Sequence, residues 1–129
     1  MRDHIRVVIC TRHTLFREGL KALLNSGGHF EVAGEAVNGG EAAALVERVL
    51  PDVILMDPTI GDLSGSEATR RIKAACPGIQ VLLLALDADA SVIAECVSAG
   101  ASAYIGNYDK PANLESAIDG VCQRASRAA

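Results

Sequence analysis

The sequence contains no tryptophan and few other aromatic residues: Phe16, Phe30, Tyr104 and Tyr108. The core of this 129-residue chain must therefore be filled by valine, leucine, isoleucine and alanine, as is usual for parallel sheets covered by helices. Basic residues are the minority charge, 12 Lys and Arg against 16 Asp and Glu, and they form no stripe. The net charge of −4 gives no electrostatic reason for this chain to hold nucleic acid or an anionic membrane. Long apolar runs are also missing. The longest, Val81 to Leu86, is far too short to span a bilayer, and Met1-Arg2-Asp3-His4 opens no signal-peptide core, so the expected location is cytoplasmic.

Other absences narrow the chemistry. Cys10, Cys76, Cys96 and Cys122 show no CxxC or Cys/His ligand spacing, which leaves zinc and thioredoxin-like chemistry without support and makes them small buried hydrophobes. Gly39-Gly40 lacks the surrounding spacing of a phosphate loop. No Ser or Cys nucleophile motif accompanies His13, and no separated acid/base pair can be named, so an enzymatic role is not expected.

What is present is alternation. Apolar β-branched stretches at about Arg6 to Cys10, Glu31 to Ala36, Asp52 to Met56, Gln80 to Ala85 and Ala103 to Ile105 are separated by stretches of helical period. Five such βα units predict one domain with a mostly parallel sheet and helices on both faces. Phe16, Leu20, Leu23 and Leu24 form one apolar stripe, ended by Ser26-Gly27-Gly28. Asn38 with Glu41, and Ser64 with Glu67, have the spacing of capping boxes. Pro51 and Pro77 stop two helices, Gly100 suits a left-handed position after a fourth, and Pro111 fits the first turn of a fifth. That last helix should bury Leu114, Ile118, Val121 and Cys122. The domain is placed at residues 1–122, with 123–129 a fraying helix end or the start of a linker.

In an open α/β sheet, ligands bind beyond the carboxyl ends of the strands. This directs attention to Thr11, Arg12, Asp57, Ala85 and Asn107. Asp57 closes DVILMD, so a buried strand delivers one carboxylate to that edge. The stretches HTLFREGLKALL (His13 to Leu24), EVAGEAVNGGEA (Glu31 to Ala42), PDVILMDPTIGDLSGSEATRRIK (Pro51 to Lys73) and SAGASAYI (Ser98 to Ile105) together resemble the receiver domain of bacterial two-component response regulators. The pattern is that of the subgroup with a LuxR/NarL-type helix-turn-helix output domain.

The resemblance implies a flavodoxin-like, CheY-like (βα)5 three-layer sandwich with strand order 2-1-3-4-5, an arrangement that receivers themselves illustrate. It also implies that Asp57 holds the phosphoacceptor position. In the family, two acidic residues help bind Mg²⁺, a Ser or Thr senses the phosphate, and a Lys contacts it. Here those positions carry Thr11 and Arg12, Ala85, and Asn107; Lys110 lies near the last but three residues late. Tyr104 matches the family's switch aromatic.

The family pocket carries three carboxylates against one lysine, whereas Asp57 and Arg12 balance to zero. At an effective dielectric of about 20, one unit charge roughly 4 Å from a divalent ion alters the gross Coulomb energy by on the order of 8 kcal/mol. The expectation is an Arg12–Asp57 ion pair in a site without metal or other cofactor, with weak or absent Mg²⁺ binding. The chain would then be an atypical receiver that works by dimerisation and by contact with an output DNA-binding domain in the parent protein. Two alternatives stay open: phosphorylation of Asp57 by a histidine kinase, and small-molecule sensing through Arg12 and Asn107.

Overall fold

A computed structural model describes residues 4–59, 63–85, 88–106 and 111–128, with the side chains of 111, 112 and 125–128 excepted. Five parallel strands alternate with five helices: β1 (Ile5–Cys10), α1 (Thr14–Asn25), β2 (Phe30–Ala36), α2 (Gly39–Val49), β3 (Val53–Met56), α3 (Gly65–Ala75), β4 (Gln80–Ala85), α4 (Ala90–Ser98), β5 (Ala103–Gly106) and α5 (Pro111–Ala128). The sheet order is β2-β1-β3-β4-β5. This is the flavodoxin-like arrangement implied by the resemblance. α5 continues through residues 123–128, so the segment read as a helix end or linker is helical up to Ala128.

Strand alternation divides the core in two. Val7, Ile9, Val53, Leu55, Leu82 and Leu84 face one side, where Leu20 and Leu24 of α1 and Leu114, Ile118 and Val121 of α5 cover them. Val8, Cys10, Ile54, Met56, Val81 and Leu83 face the other, packed against Leu45 and Val46 of α2, Ile72 of α3 and Cys96 of α4. Each fully buried aliphatic side chain contributes about 1.5–3 kcal/mol, and Phe30 adds a buried aromatic ring to the first of these layers, with Phe16 packed against it. The four cysteines form no disulfide, with Cys10 and Cys96 buried and the other two half-buried. Burial pushes the Cys96 thiol pKa up. No helix among the described residues is long and apolar enough to cross a membrane.

The helix ends follow the expected signals. Asn38 accepts a hydrogen bond from the Glu41 amide at 2.8 Å, and Glu41 reaches back to the Val37 amide at 3.2 Å. Ser64 accepts from the Glu67 amide at 3.1 Å. Lys73 stretches past the end of α3 to donate to the carbonyls of Pro77 and Ile79, and burial pushes its pKa down. Gly100 has φ +121° and lies over Lys73; an added Cβ would sit 3.0 Å from the Lys73 Cγ.

Leu50 is a feature the sequence patterns did not signal. α2 ends through Leu50 in the left-handed region, φ 48° and ψ 63°, because the following Pro51 disfavours another right-handed residue. The Arg6 guanidinium gathers the Val49 and Leu50 carbonyls there. A left-handed conformation costs a Cβ-bearing residue about 1–2 kcal/mol. With Leu50 58% exposed, its side chain offsets little of that. Leu50→Gly is expected to raise stability by about 0.5–1 kcal/mol after the entropy of the unfolded glycine is counted, read as a higher urea midpoint at unchanged slope. Gly65→Ala should act in the opposite direction. Its Cβ would lie 2.7 Å from the Pro58 Cα and 2.9 Å from the Pro58 carbonyl oxygen, so thermal unfolding should show a loss of about 1–3 kcal/mol.

Candidate functional site

The four residues of β3 are wholly buried, and β3 lies between β1 and β4 at the centre of the sheet. Asp57 follows directly. Its amide donates to the Cys10 carbonyl at 2.9 Å, extending the β1–β3 ladder by one step and fixing where the carboxylate emerges. Asp57 is only 6% exposed, and a carboxylate so placed requires donors or a cation.

The donors come from within the chain. Thr59 supplies two to Oδ1: its backbone amide at 2.9 Å and its hydroxyl at 2.6 Å. This is a local turn in which an Asp side chain closes on the residue two further along. Thr11, fully buried, donates from its hydroxyl to Oδ2 at a long 3.4 Å. The same hydroxyl accepts the His13 amide at 3.3 Å. The His13 Nε2 lies 3.9 Å from Oδ2, a cationic neighbour whenever the ring is protonated. Hydrogen bonds to a charged group contribute about 1.5–3 kcal/mol each, so Thr59 and Thr11 are the principal compensation for burying this carboxylate.

The expected Arg12–Asp57 pair is not formed. Thr11 takes the inward place beside the carboxylate, and Arg12, one residue further out of the strand, is exposed and makes no ion pair with Asp57. Keeping the guanidinium in water avoids the desolvation that an inward arginine would require. The nearest basic group among the described residues is instead His13, to which sequence reasoning assigned no enzymatic role. Thr59 was also passed over, although the spacing Asp-Pro-Thr is a turn signal.

The remaining positions are less tightly gathered. Ala85 ends β4, half-buried and in register with Gly106 of β5. Tyr104 is 57% exposed on β5, in register with Leu83. Asn107 and Lys110 lie outside the described residues, as does the loop at 60–62.

A second polar group adjoins Thr11. Arg17 of α1, half-buried, donates from its Nη1 to the Thr11 carbonyl at 2.7 Å and from its Nε to Glu35 of β2 at 2.9 Å. Lys21, one turn further along, binds Glu35 at 3.0 Å and Glu18 at 3.4 Å. Its hydrogen bond to Glu35 is the main cause of a raised Lys21 pKa.

A family model, the response regulator receiver domain, matches residues 7–119. The chain is 41% identical over 103 residues to the transcriptional regulatory protein DegU of Brevibacillus brevis, covering 80% of this chain and 44% of the relative. It spans about half the length of the curated relatives it matches. Among solved structures, a LuxR-family two-component response regulator from Aurantimonas sp. SI85-9A1 superimposes with TM-score 0.86 at 29% identity, covering 93% of this chain and 86% of that one. The receiver domain of the sensor histidine kinase PA1611 from Pseudomonas aeruginosa PAO1, solved with magnesium coordinated in its active-site cleft, superimposes with TM-score 0.82 at 25% identity, covering 93% of this chain and 98% of that one. With the sheet order, the placement of Asp57 and a match across nearly the whole chain in agreement, this chain belongs to the response regulator receiver domain family of two-component signalling.

Proposed function

We propose that this chain is an atypical receiver, a cytoplasmic contact module and not an enzyme, which dimerises and positions a DNA-binding output domain without Mg²⁺-dependent phosphorylation. The observation that carries this reading is the state of Asp57. Both of its carboxylate oxygens already receive donors from the chain itself, Thr59 on Oδ1 and Thr11 on Oδ2. Magnesium requires hard oxygen ligands in near-octahedral geometry and draws mainly on carboxylates for charge. The side chains gathered here offer one carboxylate, two hydroxyls that donate to it, and an imidazole. Such a donor set does not fit the ion. Phosphoryl transfer depends on a cation that neutralises the developing charge.

Ala85 supports the same reading at the next stage. It has no hydroxyl with which to sense a phosphoryl group, whatever happens at Asp57. Transcription regulation enters through the relatives, since DegU is described as a transcriptional regulatory protein and the matched relatives are about twice as long as the span they share with this chain. Contact surfaces are available on α4 and β5, where Val97 and Tyr104 are exposed, and on α1, where Leu15 is 88% exposed.

After incubation with acetyl phosphate and Mg²⁺, intact-mass measurement should show no species about 80 Da heavier. A heavier species that disappears in Asp57→Asn would overturn the reading in favour of an active phosphoacceptor served by a histidine kinase. Sedimentation should detect a dimer that strengthens with concentration in the absence of any phosphoryl donor; a monomer at every concentration would remove the dimer from the proposal.

A further inference from the structure

Receivers of this family need a way to carry the state of the acceptor aspartate to a surface, and Ala85 removes the hydroxyl on the β4 side. Among the described residues, no hydrogen bond joins Asp57 to β4 or α4. Asp89, at the N-cap of α4, makes no side-chain capping hydrogen bond. On the β1 side the connection is continuous. The Thr11 hydroxyl touches Asp57 Oδ2 and also receives the amide of His13, the residue that opens α1 and has no side-chain cap of its own. The Thr11 carbonyl is held by Arg17, which is tied in turn to Glu35, and through Glu35 to Lys21 and Glu18 on the α1 surface.

We infer that Thr11 and Arg17 form a polar relay that couples the charge state of Asp57 to the N-terminal half of α1, in place of a route through β4 and α4. The inference goes beyond the proposed function and holds whether Asp57 is neutralised by a proton or replaced by its amide. Its switching element is the single Thr11 proton. While Asp57 is ionised, that proton is directed at Oδ2 and the hydroxyl lone pairs are free to receive the His13 amide. Once the Oδ2 position becomes a donor, the hydroxyl proton turns elsewhere and one lone pair is taken by that donor, so the His13 amide shares the oxygen with a second donor and its hold on the start of α1 weakens. Thr11 is a positioning residue in this scheme: it acts on α1 through His13 and Arg17.

Asp57→Asn tests the relay with minimal change of shape. The two Thr59 donors hold the amide oxygen at the Oδ1 position, so the NH₂ group faces Thr11 and reverses the polarity there. Amide hydrogen exchange followed by NMR should show residues 17–20 of α1 exchanging about five-fold faster in Asp57→Asn, the effect of losing about one net hydrogen bond on a local opening equilibrium, while α4 changes less than about two-fold. In a Thr11→Ser background, which keeps the hydroxyl, the response to Asp57→Asn should persist. In a Thr11→Val background, which removes it at nearly constant volume, adding Asp57→Asn should have no further effect on α1. The relay is overturned if α1 is unchanged in Asp57→Asn, if α4 responds as strongly as α1, or if the α1 response survives Thr11→Val. Should Thr11→Val fail to fold, Arg17→Lys serves instead: it keeps the charge but not the planar fork, and a response undiminished in that background refutes the relay.

Discussion

A carboxylate held almost out of water at the end of an entirely apolar strand is the constraint from which the rest of the site follows. Asp57 can stand there only because hydrogen bonds replace hydration, and the chain provides them from two directions: the turn that follows β3 and the residue that follows β1. The β1–β3 pairing and the close approach of Gly65 to Pro58 are therefore parts of one arrangement. The first sets the height of Asp57 in the sheet; the second fixes the turn that carries Thr59.

The scaffold and the site have separate origins in the sequence. Everything that builds the sheet, its two apolar layers and its capped helices matches a receiver, whereas the side chains around Asp57 are two hydroxyls and an imidazole. The threonine at position 11 donates to the carboxylate, which makes it tolerable inside the fold, and the same hydroxyl receives the His13 amide at the start of α1.

Much of this was legible from residues alone. The capping pairs Asn38 with Glu41 and Ser64 with Glu67 stand where their spacing places them, because such bonds are local and few backbone geometries satisfy them. The buried faces of α1 and α5 follow the helical period for a similar reason. Strand order came only through the family resemblance, since periodicity does not specify which strands are neighbours. What the sequence misled about was the partner of Asp57. Complementary charge suggested Arg12, but the direction in which a side chain leaves a strand end is decided by the backbone, and adjacent residues there diverge. Hydroxyl donors such as Thr59 carry no charge to advertise them, and Leu50 departs from the usual preference for glycine after a helix because Pro51 acts on the residue before it.

The two outer strands of the sheet bear on how copies of this protein can meet. β5 has four residues, too few to template a long strand from another chain. β2 has seven, but its pairing with β1 slips between Val7 and Val8, and it carries Glu31 and Glu35. An interrupted, acidic margin on one side and a stub on the other discourage continuous β-ribbon growth and amyloid-like stacking. Association is thereby left to helical surfaces, whose contacts can form and dissolve without rewriting any backbone ladder.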